Sequence, residues 1–118
     1  GVLFNFKHRV NSSVTPYGKI SPINRESVFN EINSHRTGKE SADVIIRSHV
    51  HSANFGGHSN KLFLTTPALC LNGGKFGERI CSGIAPDIGL TVFHVYSDGS
   101  YRWWYELANL KTKRGRVY

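Results

Sequence analysis

The sequence has no methionine, not even at its first position, only two cysteines, and eight acidic residues against fifteen lysines and arginines. Each shortage excludes something. A chain without methionine that opens at Gly1 inside a strand-like run is expected to be a piece of a longer or processed polypeptide. Cys70 and Cys81 are too few for a disulfide framework, and neither stands in a Cys-x-x-Cys pair, which excludes a zinc ribbon. With no secretory pattern, they read as two reduced thiols of a cytoplasmic protein. No apolar run approaches the ~20 residues of a membrane helix, so no membrane is expected as a partner. There is no internal repeat and no low-complexity segment. The scarcity of acid leaves a net charge of +7, which favours acidic partners such as phosphorylated or nucleic-acid ligands. What is present suffices for a fold: 118 residues, 39% of them hydrophobic, are enough for one core and one unit spanning 1–118.

The hydropathy pattern gives the order of elements. Val2, Phe4, Phe6 and His8 alternate with Leu3, Asn5 and Lys7, which predicts a strand whose last inward position is a histidine. A turn-rich loop follows over 11–21. Ser21-Pro22 then opens a helix, with Ser21 as the expected N-cap, an apolar stripe of Val28, Phe29 and Ile32, and Gly38 as the stop. Val44-Ile45-Ile46 is a short apolar run of the kind buried on both faces of a sheet. It ends at Ser48-His49-Val50-His51, and a loop with Asn54, Gly56, Gly57 and Asn60 is expected next. Residues 62–66 read as a strand, 71–88 as irregular, 90–96 and 101–107 as two strands joined by an Asp98-Gly99 hairpin turn. Strand, helix, then four strands define an α+β class. The densest basic stretch is the tail over 111–118, with Lys111, Lys113, Arg114 and Arg116; it reads as a solvated terminus or as a phosphate-backbone contact.

Six histidines carry the chemistry. In extended backbone His49 and His51, two apart, would point the same way, as a metal pair or as two surface residues. If the His8 strand lies beside the His49 strand, His8 arrives at the same sheet edge, where α/β folds bind ligands. Arg47 is a candidate phosphate contact because guanidinium matches phosphate oxygens, or else a salt-bridged or solvated arginine. Asn54 and Phe55 are candidates to touch a leaving group or a stacked base. His35, His58 and His94 read as bystanders.

The stretch from Ile45 to His51 resembles the last motif of the calcineurin-like metallophosphoesterases, an apolar strand followed by Gly-His-x-His. The segments Thr65-Thr66-Pro67-Ala68-Leu69, Lys75-Phe76-Gly77 and Cys81-Ser82-Gly83 are similar to the C-terminal part of phage and prophage members, and His8 matches the family's isolated histidine. The resemblance implies half of an α/β/β/α sandwich. It also implies a site for two divalent metals (Mn, Fe, Zn or Ni) acting on phosphomono- or phosphodiesters, nucleic acid or nucleotide among them. His8 and His49 would bind one metal and His51 the other. Two departures stand out: Ser48 occupies the position of the usual glycine, and the motifs Asp-x-His, Gly-Asp-x-x-Asp and Gly-Asn-His-Glu are absent. The implied partner is therefore an N-terminal half, on the same or a separate polypeptide, without which this chain would not hydrolyse its substrate. Two other readings rest on the residues alone. One is a zinc site of His49, His51 and His58 with an open position. The other is a basic single-stranded nucleic-acid module that stacks bases on Tyr101, Trp103 and Tyr105. A remnant that only packs on a partner is a third.

Overall fold

The computed structural model describes residues 1–11, 18–58, 60–70 and 86–108. The basic tail, Cys81, the turn signals at 72–74 and 82–83 and the family-like segments 75–77 and 81–83 lie outside the described residues. The elements are β1 (Phe4–Lys7), α1 (Ser21–Thr37), β2 (Val44–Arg47), β3 (Asn54–His58), β4 (Lys61–Thr65), β5 (Gly89–Val95) and β6 (Tyr101–Leu107). The class is α+β, mostly strands with one helix.

β1, β2, β4 and β3 form one sheet in that order. β1 and β4 both run parallel to β2, while β3 returns antiparallel along β4. The central position of β2 explains its Val-Ile-Ile composition, since all four of its residues are buried. β5 and β6 form a separate antiparallel hairpin around Asp98 and Gly99, where the Asp98 carboxylate accepts from the Ser100 amide and hydroxyl. The hairpin lies on one face of the sheet, with Phe93, Tyr101 and Trp103 against Val44, Ile46 and Leu64. The helix lies on the other, with Ile23 against Ile45 and Phe63. The layers are helix, sheet, hairpin.

Three expectations need correction. First, the sheet gains a strand where a loop was expected. β3 carries two consecutive glycines, an unfavourable strand composition, but a side chain on Gly56 would stand 2.7 Å from the Phe63 ring on β4. The glycine is what lets β3 lie against that ring. Second, the helix cap shifts by one residue: Ile20 takes the N-cap position, no side chain caps it, and Ser21 and Pro22 are the first two helical residues. Gly38 ends the helix as expected, in left-handed backbone (φ 68°), with its amide bonded to Ser34 O. Third, the helix is turned away from its apolar stripe. Val28, Phe29 and Ile32 are 45–47% exposed, and the buried positions are Ile23 and Ser27. Polar contacts at helical spacing hold that orientation: Glu26 pairs with Arg47, Ser27 Oγ meets His58 Nε2 at 2.8 Å, and Asn30 and Glu31 both bond Ser41.

Candidate functional site at the C-terminal edge of the sheet

The parallel register sets Lys7 beside Arg47 and Arg47 beside Thr65, so β1, β2 and β4 end together. His8 follows β1 and Ser48-His49 follows β2 at that common edge, and the Ser48 amide donates to His8 O at 3.0 Å. The His8 and His49 rings face each other, edge to face, with centroids 5.4 Å apart and planes at 72°. The two strands are neighbours, the condition under which the sequence brings these histidines to one edge.

The way His51 arrives differs from expectation. β2 stops at Arg47, and the following chain is not extended: His49 (φ 76°) and His51 (φ 56°) both adopt left-handed backbone. That conformation costs a non-glycine residue on the order of 1 kcal/mol, and histidine is among the residues that tolerate it best. The alternation argument for one shared direction therefore fails. Ser48, where the resembling motif has glycine, does not adopt positive φ. Its hydroxyl is a partner of Thr66 Oγ1 at 2.9 Å, tying the ends of β2 and β4.

The turn is braced from three sides. Thr65 Oγ1 donates to Ser52 O (2.6 Å) and accepts from the Asn54 amide (3.1 Å). Asp87 Oδ2 accepts from the Ala53 amide at 2.7 Å, and the Asp87 amide donates to His51 O. From the hairpin, the Tyr105 hydroxyl reaches Asn54 O (3.0 Å) and Thr65 O (2.9 Å); burial pushes its pKa well up, so it stays a donor. Sequence reading missed Thr65, Asp87 and the Tyr105 hydroxyl. Only Tyr105 left a signal, by sharing the inward alternation of Trp103.

His49 is held below the ordinary imidazole value of 6.5, first by burial and then by the positive charges of Arg9, His8 and His51. It is thus kept neutral near pH 7, the form in which imidazole serves as a ligand or a base. His51 Nδ1 is buried without a hydrogen bond among the described residues.

The other candidates fare differently. Asn54 is at the same edge, opposite Thr65, with its side-chain amide on Ser52 Oγ. Arg47 takes the salt-bridged form, not a place at the edge toward a phosphate. It is 5% exposed under the helix, its Nε on Glu26 and its Nη1 on Asn5 and Ile46 O. It braces α1 against β1 and β2. Phe55 packs on Trp103 at 5.0 Å. The three-histidine zinc reading is not supported, because His58 sits at the opposite end of β3, beside Lys61 and bonded to Ser27. The stacking-module reading is corrected too: Tyr101 and Trp103 pack on the sheet and Tyr105 is spent on Asn54 and Thr65.

For a pair of metals the fit is partial. Two imidazoles face one another and a third offers an orphaned buried nitrogen. Yet among the described residues no three His, Cys, Asp or Glu side chains gather to hold an ion, and Asp87, the carboxylate of this edge, is spent on Ala53. The described residues furnish a histidine half-site, not a complete dinuclear centre.

Two solved structures are similar to this chain in shape. A single mutant of Vps29 from Entamoeba histolytica is 14% identical, with 90% of this chain aligned on 55% of that one and a TM-score of 0.45. A double mutant of the same protein is 15% identical, with coverages of 82% and 51% and a TM-score of 0.41. The chain spans about half the length of these solved chains. No family model matches it, and no curated protein does. Among the described residues no helix is long and apolar enough to cross a membrane.

Proposed function

We propose that this chain is the C-terminal half of a metal-dependent phosphoesterase domain of the calcineurin-like, phage type. In this reading it contributes His8 and His49, with His51 close in sequence, to a centre completed by an N-terminal half. The observation that carries the proposal is the His8–His49 pair at the common C-terminal edge of two adjacent parallel strands. When bound, divalent metals in such a centre polarise a phosphate ester and activate water. The residues of this chain have their own tasks. Burial keeps His49 neutral. Ser48, Thr65, Thr66, Asp87 and Tyr105 fix the turn that presents it. Asn54 stands at the same edge toward the substrate. The net charge of +7 favours an anionic ester, of nucleotide or nucleic-acid type.

The test is a calorimetric titration of the chain with Zn²⁺ and Mn²⁺, repeated on His8→Ala, His49→Ala and His51→Ala. Weak binding is expected, lost in the first two variants. Hydrolysis of a chromogenic phosphodiester is expected only once an N-terminal half is supplied. Metal binding indifferent to His8→Ala, or no binding at all, would sink the proposal.

A further inference from the structure

On the helix side of β1 lies an open cavity of about 690 Å³ between that strand and α1, lined by neither histidine of the pair. We propose that it binds a small phosphate ester, with the phosphate group held by Lys7 and Arg25. The volume is within the usual range for small-molecule sites and exceeds what a lone phosphate needs.

The charge of the lining is lopsided. Lys7, Arg25 and Arg47 face a single carboxylate, Glu26, and that carboxylate is already paired with Arg47. Lys7 and Arg25 have no ion pair among the described residues. Two uncompensated cations across one concavity raise the local concentration of anions and give a phosphate two charge-assisted partners. The first turn of α1 carries no acidic residue to oppose them. The remainder of the wall suits the organic part of an ester. Phe29, 47% exposed, offers a ring face with the Arg25 guanidinium 5.4 Å from its centroid. The amides of Asn11 and Asn33 offer donors and acceptors. The same placement gives a reason for Phe29 to face outward rather than join the core.

This inference is independent of hydrolysis, because none of His8, His49 and His51 lines the cavity and the site needs no metal. The experiment is a calorimetric titration of the metal-free chain with AMP, inorganic phosphate and adenosine. AMP is expected to bind more tightly than inorganic phosphate, and adenosine not at all. The Lys7→Ala/Arg25→Ala double variant should weaken AMP by about tenfold or more, the scale of one or two lost charge-assisted contacts. Both side chains are exposed, so an unchanged unfolding midpoint should certify the fold. His8→Ala should leave AMP binding intact. Equal binding of adenosine and AMP, no saturable AMP binding, or phosphate binding more tightly than AMP would each overturn the proposal. So would AMP binding lost in His8→Ala but kept in the double variant, which would move the ligand to the histidine edge.

Discussion

Toward the hairpin, the four-stranded sheet presents Val44, Ile46 and Leu64 to Phe93, Tyr101 and Trp103. Toward the helix it presents Ile45 and Phe63 to Ile23 and otherwise meets polar groups: Arg47 on Glu26, His58 on Ser27. The hairpin side is held by contact that scales with buried area and tolerates small shifts. The helix side is held by bonds with fixed partners, which set the rotation of α1 but add little net stability each. That is why the apolar stripe of α1 can face outward. Once Glu26, Ser27, Asn30 and Glu31 have their partners, Val28, Phe29 and Ile32 have no route inward. The candidate site inherits from both sides. Tyr105 braces its turn from the hairpin, and Arg47, two residues before His49, is anchored under the helix.

The comparison breaks hardest at Trp103. It contacts the sheet core, Phe55, Phe93 and Tyr105. Trp103→Ala should cost about 3 kcal/mol in urea unfolding, as large aromatic truncations in a core do. A cost under about 1 kcal/mol would mean that the hairpin is not a structural layer. The helix side should give a smaller and reparable loss. Arg47→Met leaves Glu26 without its cation in a half-buried place and should cost about 2 kcal/mol. Adding Glu26→Leu removes the stranded charge, and a well-packed apolar pair is often neutral relative to an ion pair, so most of the loss should return. If the double variant is as unstable as the single one, Arg47 acts through Asn5 and Ile46 O rather than through Glu26.

Sequence reasoning placed the strands that carry strong apolar periodicity, because burial on a pleated surface writes period two directly into the residues. It left the meeting of His8 and His49 conditional on their strands being neighbours, which periodicity does not decide and which the pairing of β1 with β2 supplies. It lost β3, since Gly56 and Gly57 read as loop until the Phe63 ring that needs the space is known. It misjudged the helix face, because the deciding contacts, Ser27 with His58 and Asn30 with Ser41, are polar and long-range. The expected common direction of His49 and His51 failed at the backbone, because the strand stops at Arg47, four residues before His51, and both histidines take left-handed backbone. Arg47 reads locally as a phosphate contact or as a salt-bridged or solvated arginine, and the partner that decides, Glu26, lies 21 residues away, where no local pattern connects the two.

The smallest effect separates the two sides by pH. Glu31, on the helix side, is held below its ordinary 4.5, first by the Ser41 hydroxyl, which outweighs the opposing desolvation, and then by the charges of Lys61, His35 and His58. A carboxyl with a folded pKa below its unfolded one binds fewer protons when folded. Its contribution is therefore complete above about pH 4.5 and is lost as pH falls through the lowered folded value. Acidification from about pH 6 to 3.5 should lower the urea midpoint, and Ser41→Ala should flatten part of that slope while costing little at pH 7. In the hairpin the corresponding carboxyl is Asp98, held low by Ser100 at the turn, whereas the sheet-facing contacts of Phe93 and Trp103 carry no titrating group. Protection of the amides, relative to their intrinsic exchange at each pH, should therefore fall in α1 before it falls in the strands β5 and β6. Protection lost first in the strands β5 and β6 would mean that the polar bonds of α1 do not govern its acid response, and that the contrast between the two faces is one of composition alone.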